Sequence, residues 1–234
     1  MTGGSREGSG PLTGAEWLWG DRRRAPRGPK PVLHLDRIVA EAIAIADEEG
    51  LAALSMQRIA ARLGSGTMSL YRHVSTKDDL VSLMLDTAIG PPAKEPAEPG
   101  HWREAIELWA RDTRDIFLRH PWALALVTTR RVMGPNETAR LESAMAAMSG
   151  AGLSPRDVLN SVLLVNGYVR GAVQPSVDHQ DSSFGHELIR RAQDLFPHLN
   201  AVLGHLAGEG KPAEGFEFGL QRVLDGIEAY LDRG

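Results

Sequence analysis

Apolar side chains recur every three or four residues along most of the chain. Ile38, Ala42 and Ile45 form one such series near the beginning, and Leu220 and Leu224 belong to another near the end. This spacing places apolar positions on one face of an α-helix, whereas a strand would show strict alternation. We find no alternating series of any length, so the sequence predicts an all-α fold.

Capping residues predict where several helices begin and end. Asp36 is the predicted N-cap of the first helix, and Gly50 follows its last turn. Ser55 is the predicted N-cap of the second helix. Thr76 and Ser154 each stand three residues before an aspartate, which is a capping-box pattern at the start of a helix.

Proline and glycine divide the chain into a smaller and a larger part. The segment 91–100 is rich in proline and is predicted to be a linker. We therefore predict one domain over residues 32–90 and another over residues 101–234. Residues 1–31 are rich in Gly, Pro, Ser and Arg without a sustained apolar period, so they are predicted to be a disordered basic extension.

Further connections are predicted within the larger part. Residues 174–185 are polar and are predicted to form a loop, and residues 207–215 are rich in glycine and are predicted to form a linker. Helical segments are predicted between them, at about 186–195 and from Pro197 to residue 206.

The basic extension leaves two interpretations open. Five basic residues stand against one acid between Asp21 and Lys30, after an unexplained apolar spot at Trp17, Leu18 and Trp19. The basic run is either an arm that enters the minor groove of DNA, as homeodomains have, or a solubilising tail.

Positive charge is concentrated in one stretch of a chain whose formal net charge is −4. From Ser55 to Lys77 the chain carries Arg58, Arg62 and Arg72 as well as Lys77, and no acid. Local positive charge on an otherwise acidic molecule suits a surface that faces phosphates.

The chain has no cysteine, which excludes disulfides and thiolate metal sites. No apolar run approaches the length of a transmembrane helix, and the first residues lack the pattern of a signal peptide. We expect a cytoplasmic protein.

The stretch from Leu54 to Val81 has the pattern of a helix-turn-helix. A first short helix leads into Gly64, which tolerates the positive φ of a tight turn. Leu70 and Val74, four residues apart, are the predicted buried face of a second short helix with a polar outer face. Two short helices joined in this way are typical of a DNA-binding unit.

The same stretch resembles a known family. Leu70-Tyr71-Arg72-His73-Val74, followed by Lys77, is similar to the signature of the tetracycline-repressor family of transcriptional regulators. The resemblance is close over residues 33–90 and looser beyond Trp102, where Arg119-His120-Pro121-Trp122 and Gly134-Pro135-Asn136 carry it. It implies a three-helix DNA-binding domain followed by a larger helical domain for effector binding and dimerisation.

The resemblance implies a set of DNA contacts on the two short helices and the start of the next. The corresponding residues here are Ser55, Gln57, Thr67, Met68, Ser69, Tyr71, Arg72, His73 and Lys77. A guanidinium at Arg72 is able to donate two hydrogen bonds to a guanine edge. Tyr71, His73 and Lys77 are expected to hold phosphates, which positions the helix without specifying sequence.

The resemblance also implies a repressor that binds a palindromic operator in double-stranded DNA as a homodimer and is released by a small-molecule effector. The dimer helices are expected near 155–173 and 216–232, since both are apolar on more than one face. Candidate effector contacts are Trp102, Trp109, Trp122, Met145, Asn166, Tyr168 and Arg170, each of which is otherwise a core residue. The histidine through which the prototype holds its drug–magnesium complex is missing, so an apolar or aromatic effector is expected instead.

Two alternatives to a ligand-responsive regulator stay open. An α-helical enzyme is one, but the sequence has no nucleophile elbow, Walker loop or dinucleotide fingerprint. A ligand-independent architectural DNA binder is the other, and the large second domain argues against it. The histidine pairs His179/His186 and His198/His205 lack metal-site spacing, so no metal and no cofactor is expected.

Overall fold

The computed structural model describes residues 18–20, 33–92, 100–177, 195–199, 201 and 213–232. This part of the chain is helical and contains no strand, which confirms the predicted all-α class. None of its helices is long and apolar enough to cross a membrane. The helices are α1 (Leu35–Glu49), α2 (Met56–Arg62), α3 (Thr67–Tyr71), α4 (Lys77–Ile89), α5 (Trp102–Arg119), α6 (Pro121–Val127), α7 (Pro135–Ser149), α8 (Pro155–Val177) and α9 (Ala213–Leu231), with a 3-10 turn at Leu51–Ala53.

Three of the predicted N-caps are confirmed, and one is wrong. Ser55 Oγ accepts a hydrogen bond from the amide of Arg58, and Thr76 and Ser154 cap α4 and α8 in the same way. The N-cap of α1 is His34, whose Nδ1 accepts from the Arg37 amide. Asp36 lies inside the first turn instead, where a negative charge still favours the helix dipole.

Two predicted connections are partly helical. The helix α8 continues through Gln174 to Val177 with Pro175 inside it, so the predicted loop at 174–185 is wrong for its first four residues. Because Pro175 lies in the last turn, its missing N–H interrupts only one hydrogen bond near a helix end. The helix α9 begins at Ala213, inside the predicted linker 207–215. The predicted helix at 186–195 lies outside the described residues except for Leu195, which is in a turn.

The chain forms two compact units. The N-terminal unit comprises residues 1–96 and 115–146, and the C-terminal unit comprises residues 97–114 and 147–234. The division therefore does not follow the single boundary predicted at 91–100. Instead, α6 and most of α7 are grouped with α1 and α4 in the N-terminal unit. The helix α6 packs against both of these helices.

The N-terminal unit has a fully buried apolar core between α1 and α4. Ile38, Ile45, Leu80, Leu83 and Met84 are at most 1% exposed. Their spacing of three or four residues follows from the helical period that the sequence displays.

Asp47, near the end of α1, fixes the beginning of α6. Its Oδ1 accepts from the indole N–H of Trp122 at 2.7 Å and lies 2.8 Å from His120 Nδ1. Trp122 and His120 are both buried. A single carboxylate thus binds two polar groups that the core of this unit would otherwise leave without partners.

Asp86, near the end of α4, caps the beginning of α7. Its Oδ1 accepts from the backbone N–H groups of Asn136 and Glu137, and the Asn136 side chain donates to the Asp86 carbonyl. A Cβ at Gly134 would overlap the Asp86 carboxylate, so the approach requires glycine at that position. A buried carboxylate on a helix N-terminus is favoured by the helix dipole.

The apolar spot in the basic extension is part of the N-terminal unit. Leu18 is 3% exposed, and the indole of Trp19 donates to the Met133 carbonyl at 3.0 Å. The prediction of disorder for the whole of residues 1–31 is therefore wrong for this short segment. Leu18 and Trp19 pack against the rest of this unit, and we call them the docked turn. Its packing is favourable because burial of Leu18 removes apolar surface from water.

The C-terminal unit is built on the packing of α8 against α9. Val158, Val162, Val165, Val169 and Val173 form a buried face of α8. The facing side of α9 is lined by buried apolar residues, which are Phe216, Leu220, Leu224 and Ile227. Tyr168 lies over Gly219, where a Cβ would overlap its ring.

Two arginines hold the first part of α5 in the C-terminal unit. Arg103 donates to Asp225, Glu228 and Gln221 on α9. Arg111 pairs with Glu217 of α9 at 2.8 Å and with Glu107 of its own helix. Hydrogen bonds from these arginines lower the pKa of the Asp225 and Glu217 carboxyls.

Candidate nucleic-acid interface

The two short helices α2 and α3 are joined by a tight turn at Gly64. Gly64 has φ 64°, and the amide of Ser65 donates to the Ala60 carbonyl at 2.9 Å. Leu70 and Val74 are completely buried beneath α3. The predicted helix-turn-helix is present, with the buried and exposed positions assigned by the sequence pattern.

The predicted DNA contacts differ in exposure. Met68 is 73% exposed and Tyr71 is 46% exposed. Gln57, Arg72 and Lys77 are also exposed. The partly buried members of the set are Ser55, whose hydroxyl caps α2, and Thr67, Ser69 and His73. We call the exposed side of α3, with Gln57 and Lys77, the recognition surface; its contact with DNA stays a prediction.

Of the four basic residues between Ser55 and Lys77, two form ion pairs with acids of α1. Arg58 makes an ion pair with Glu49, and Arg62 makes ion pairs with Glu41 and Glu48. Hydrogen bonding and charge lower the pKa of Glu48 and raise the pKa of Arg62. Among the described residues, Arg72 and Lys77 have no acidic partner.

The absence of acids between Ser55 and Lys77 does not predict this pairing, because the partner carboxylates lie outside the stretch. The acids come from α1, which packs against α2. A signal was available, since Glu41 and Glu48 are seven residues apart and therefore share one face of α1. The positive charge that the recognition surface offers to phosphates is smaller than the sequence count indicates.

The candidate effector residues are distributed over both units. Trp102, Trp109, Asn166, Tyr168 and Arg170 lie in the C-terminal unit and are partly buried. The hydroxyl of Tyr168 donates to the Phe216 carbonyl at 2.7 Å, and burial raises the pKa of that phenol. The remaining two candidates, Trp122 and Met145, lie in the N-terminal unit.

A groove of about 430 Å³ runs between α8 and α9 in the C-terminal unit. Its lining includes Leu164, Val223 and Tyr230, together with Asp157 and Arg222. None of the seven predicted effector residues lines this groove.

The described residues offer no metal site. No group of three or more His, Asp or Glu side chains suited to a metal ion occurs among them. His198 is exposed, and His179, His186 and His205 lie outside the described part of the chain.

These features define a class: a helical DNA-binding regulator with a helix-turn-helix in one part and a separate helical bundle in another. Family models agree with this class. The model described as "Tetracyclin repressor-like, C-terminal domain" matches residues 95–231, and the model "Bacterial regulatory proteins, tetR family" matches residues 38–84. The chain therefore belongs to the tetracycline-repressor (TetR) family of bacterial regulatory proteins.

Individual relatives support the same assignment. The chain is 39% identical to the HTH-type transcriptional repressor DrrR1 of Streptomyces coeruleorubidus, over 98% of this chain and 93% of DrrR1. It is similar to the crystal structure of the TetR-family protein ActR of Streptomyces coelicolor in complex with actinorhodin. That match has a TM-score of 0.71 and 31% identity, and covers 86% of this chain and 99% of ActR. It is also similar to BioQ of Mycobacterium smegmatis, solved with its double-stranded DNA operator, with a TM-score of 0.59 and 28% identity over 84% of this chain and 99% of BioQ.

Proposed function

We propose that this protein is a ligand-responsive transcriptional repressor that binds a palindromic operator as a homodimer. The observation that carries the proposal is the recognition surface. It presents exposed Arg72 and Lys77 without acidic partners among the described residues, in a chain 39% identical to a named repressor. In a helix-turn-helix protein the second helix enters the major groove, and side chains on its outer face contact base edges.

Roles on the recognition surface follow from side-chain chemistry. Arg72 donates two hydrogen bonds to guanine O6 and N7 and so distinguishes sequences. Lys77, at the start of α4, contacts a phosphate and positions the unit without regard to sequence. Met68 is exposed and apolar, which suits contact with a thymine methyl group. The proposed contact set is completed by Ser55, Gln57, Thr67, Ser69, Tyr71 and His73.

The homodimer is supported by the outer face of α8 and α9. Leu159, Leu163 and Leu164 are 40–54% exposed, and Phe218 and Tyr230 are 66% and 55% exposed. Both helices thus have a second apolar face besides the one that packs within the unit, and exposed apolar patches of this kind mark contact surfaces. A second copy related by a two-fold axis would cover both faces and would present two recognition helices about 34–36 Å apart.

The effector is proposed to be an apolar or aromatic small molecule bound in the C-terminal part of the chain. Trp102 and Trp109 on α5, with Asn166 and Arg170 on α8, are partly buried in one unit and supply apolar surface with polar anchors. The complex of ActR with actinorhodin shows that a relative of this family binds a small molecule. Release of DNA requires that the effector bind the DNA-incompetent state more tightly than the competent state.

The test has two stages. Selection of binding sites from random duplex DNA is expected to return a sequence with two-fold symmetry and half-sites about one helical turn apart. A selection that enriches no sequence, or a single unpaired half-site, would contradict the proposal. A screen of small aromatic and apolar molecules then looks for compounds that raise the melting temperature and release the selected DNA.

The relatives are named as regulators, so we infer a regulator rather than an enzyme. The remaining alternative is an architectural DNA binder that responds to no ligand. Tight sequence-specific binding together with no compound that alters it would favour that alternative.

A further inference from the structure

Two of the four cations between Ser55 and Lys77 are neutralised by acids of the preceding helix. Glu49, the last residue of α1, pairs with Arg58 of α2, and Glu48 and Glu41 pair with Arg62. All of these side chains are partly exposed: Arg58 is 46% exposed and its partner Glu49 is 32% exposed. Exposed ion pairs of this kind contribute little to the stability of a fold.

These ion pairs have a larger effect on the binding of DNA, which is a polyanion. Arg58 directly follows Gln57 in the first turn of α2, on the same short element as two of the proposed DNA contacts. An unpaired arginine at this position would attract the phosphates of DNA of any sequence, and the contact would release counterions from them. A carboxylate within hydrogen-bonding distance weakens that attraction, because its negative charge repels the phosphate that the guanidinium attracts, and the field of an ion pair falls off faster with distance than that of a single charge.

We propose that Glu49 limits the affinity of the N-terminal unit for DNA of any sequence by neutralising Arg58, so that Arg72 and Lys77 supply most of the positive charge that the helix-turn-helix offers to phosphates. Glu48 and Glu41 have the same role toward Arg62. The specificity of a DNA-binding protein depends on the ratio between operator and random DNA rather than on the operator affinity alone. Because a phosphate contact acts on every sequence alike, the pairing lowers the affinity for operator and for random DNA by a similar factor and leaves that ratio unchanged. This inference rests on the proposed DNA-binding function.

Glu49→Gln tests the role directly, because glutamine keeps the size and a hydrogen-bond acceptor but removes the charge. The affinity for a random-sequence duplex at low salt is expected to rise by about 3- to 10-fold, with a salt dependence steeper by about 0.9 in log–log slope. Affinity for the selected operator is expected to rise by a similar factor, because attraction to phosphates does not depend on sequence. The measurement is fluorescence anisotropy with labelled duplexes at several salt concentrations.

A matched control separates a local effect from a change in net charge. Glu142→Gln makes the same charge change at an exposed position on α7 of the N-terminal unit, away from the four cations in sequence. It is expected to leave both affinities within about twofold of wild type. If Glu49→Gln raises the affinity for random DNA no more than this control does, the inference is wrong.

The double variant Glu49→Gln/Arg58→Gln identifies the cation responsible. Removing both charges is expected to return the affinity for random DNA to that of wild type. If the double variant keeps the raised affinity, Arg58 is not the group that Glu49 restrains, and the inference is overturned.

Arg62 supplies an independent version of the same test, which remains available if Glu49→Gln does not fold. Glu48→Gln leaves Glu41 paired with Arg62 and is expected to have a small effect, whereas Glu41→Gln/Glu48→Gln removes both partners and is expected to raise random-DNA affinity as Glu49→Gln does. Thermal unfolding reports whether each variant retains the fold. Failure of wild type to bind any selected DNA would instead contradict the proposed function.

Discussion

The two units expose opposite kinds of surface. The N-terminal unit buries the apolar side chains between α1 and α4 and presents the recognition surface, with exposed Arg72 and Lys77, around α3. The C-terminal unit buries one face of α8 and α9 but leaves leucines, Phe218 and Tyr230 on another face. A polar, cationic surface suits DNA, whereas an apolar one suits a protein surface of the same kind. The difference supports the proposal that DNA and a second copy of the chain are bound by different units.

The units also differ in the polar groups that join their helices. In the N-terminal unit, carboxylates accept hydrogen bonds from other elements: Asp47 from Trp122, and Asp86 from the start of α7. In the C-terminal unit, arginines of α5 donate to exposed carboxylates of α9. The Asp86 carboxylate is buried, whereas the carboxylates of α9 that Arg103 and Arg111 bind are exposed, so we expect the first kind of contact to affect stability more than the second.

The largest expected effect concerns the apolar outer face of the C-terminal unit. Leu164→Glu places a charge in the groove between α8 and α9, and the proposed dimer would have to remove that charge from water. The dimer is expected to dissociate, and operator affinity is expected to fall by about 10²- to 10⁴-fold because the two recognition helices no longer bind together. Analytical ultracentrifugation and DNA-binding titrations measure the two effects.

Leu108→Glu is the control for that variant. Leu108 is 66% exposed on α5 in the same unit but does not line the groove. It is expected to leave the sedimentation coefficient and operator affinity unchanged. A Leu164→Glu protein that sediments like wild type would remove the support for a dimer through this face.

The next effect concerns Asp86 in the N-terminal unit. Asp86→Ala leaves the N–H groups of Asn136 and Glu137 without their acceptor, and we expect a loss of about 2–4 kcal/mol in the free energy of unfolding. Asp86→Asn keeps an acceptor oxygen and is expected to lose less. Urea unfolding provides the measurement, and an alanine variant as stable as wild type would show that the cap contributes nothing.

A smaller effect separates base recognition from phosphate binding on the recognition surface. Arg72→Ala is expected to weaken binding to the selected operator by about 1–3 kcal/mol with little change on random DNA. Lys77→Ala is expected to weaken both by a similar amount. Equal losses on operator and random DNA for both variants would contradict the roles assigned to them.

The smallest expected effect is the pH dependence of the arginine contacts in the C-terminal unit. The pKa of Asp225 lies below its ordinary value of 3.8 because Arg103 and Arg222 donate to it. A depressed folded-state pKa means that the contribution is complete above the unfolded pKa and is lost as the pH falls through the folded value. Arg103→Gln is therefore expected to lower the melting temperature by about 1–3 °C at pH 7 and to differ less from wild type near pH 3.

Arg130→Gln is the control for this comparison, since Arg130 is exposed and has no ion-pair partner among the described residues. Its melting temperature is expected to follow wild type at every pH. A difference between Arg103→Gln and wild type that grows as the pH falls would have the wrong sign for the assigned contact.

Features that depend on neighbouring residues were predictable from the sequence. The caps at Ser55, Thr76 and Ser154 and the glycines at 50, 64 and 90 follow from chemistry within a few residues. The cap of α1 was missed because His34 is an uncommon N-cap, and the preferred residue type, Asp36, stands two positions later.

Features that depend on distant contacts were not predictable in the same way. The helix α8 extends past Gln174, and α9 begins within a glycine-rich segment, against the local preference of those residues. The pairing of Arg58 and Arg62 with α1 joins residues 9 and 14 positions apart, and depends on how α1 packs against α2. The grouping of α6 and α7 with the first helices depends on contacts between residues that are far apart in sequence, such as Asp86 and Asn136, which are 50 positions apart.

The docked turn at Leu18 and Trp19 has a practical consequence for anyone who shortens the protein. A version trimmed to start at α1 would look harmless from the sequence, because the discarded segment is rich in glycine, proline and arginine. It would also discard a leucine that is 97% covered and would uncover the apolar surface beneath it. Aggregation of such a trimmed protein would then reflect the missing leucine, and a cut placed before Leu18 avoids it.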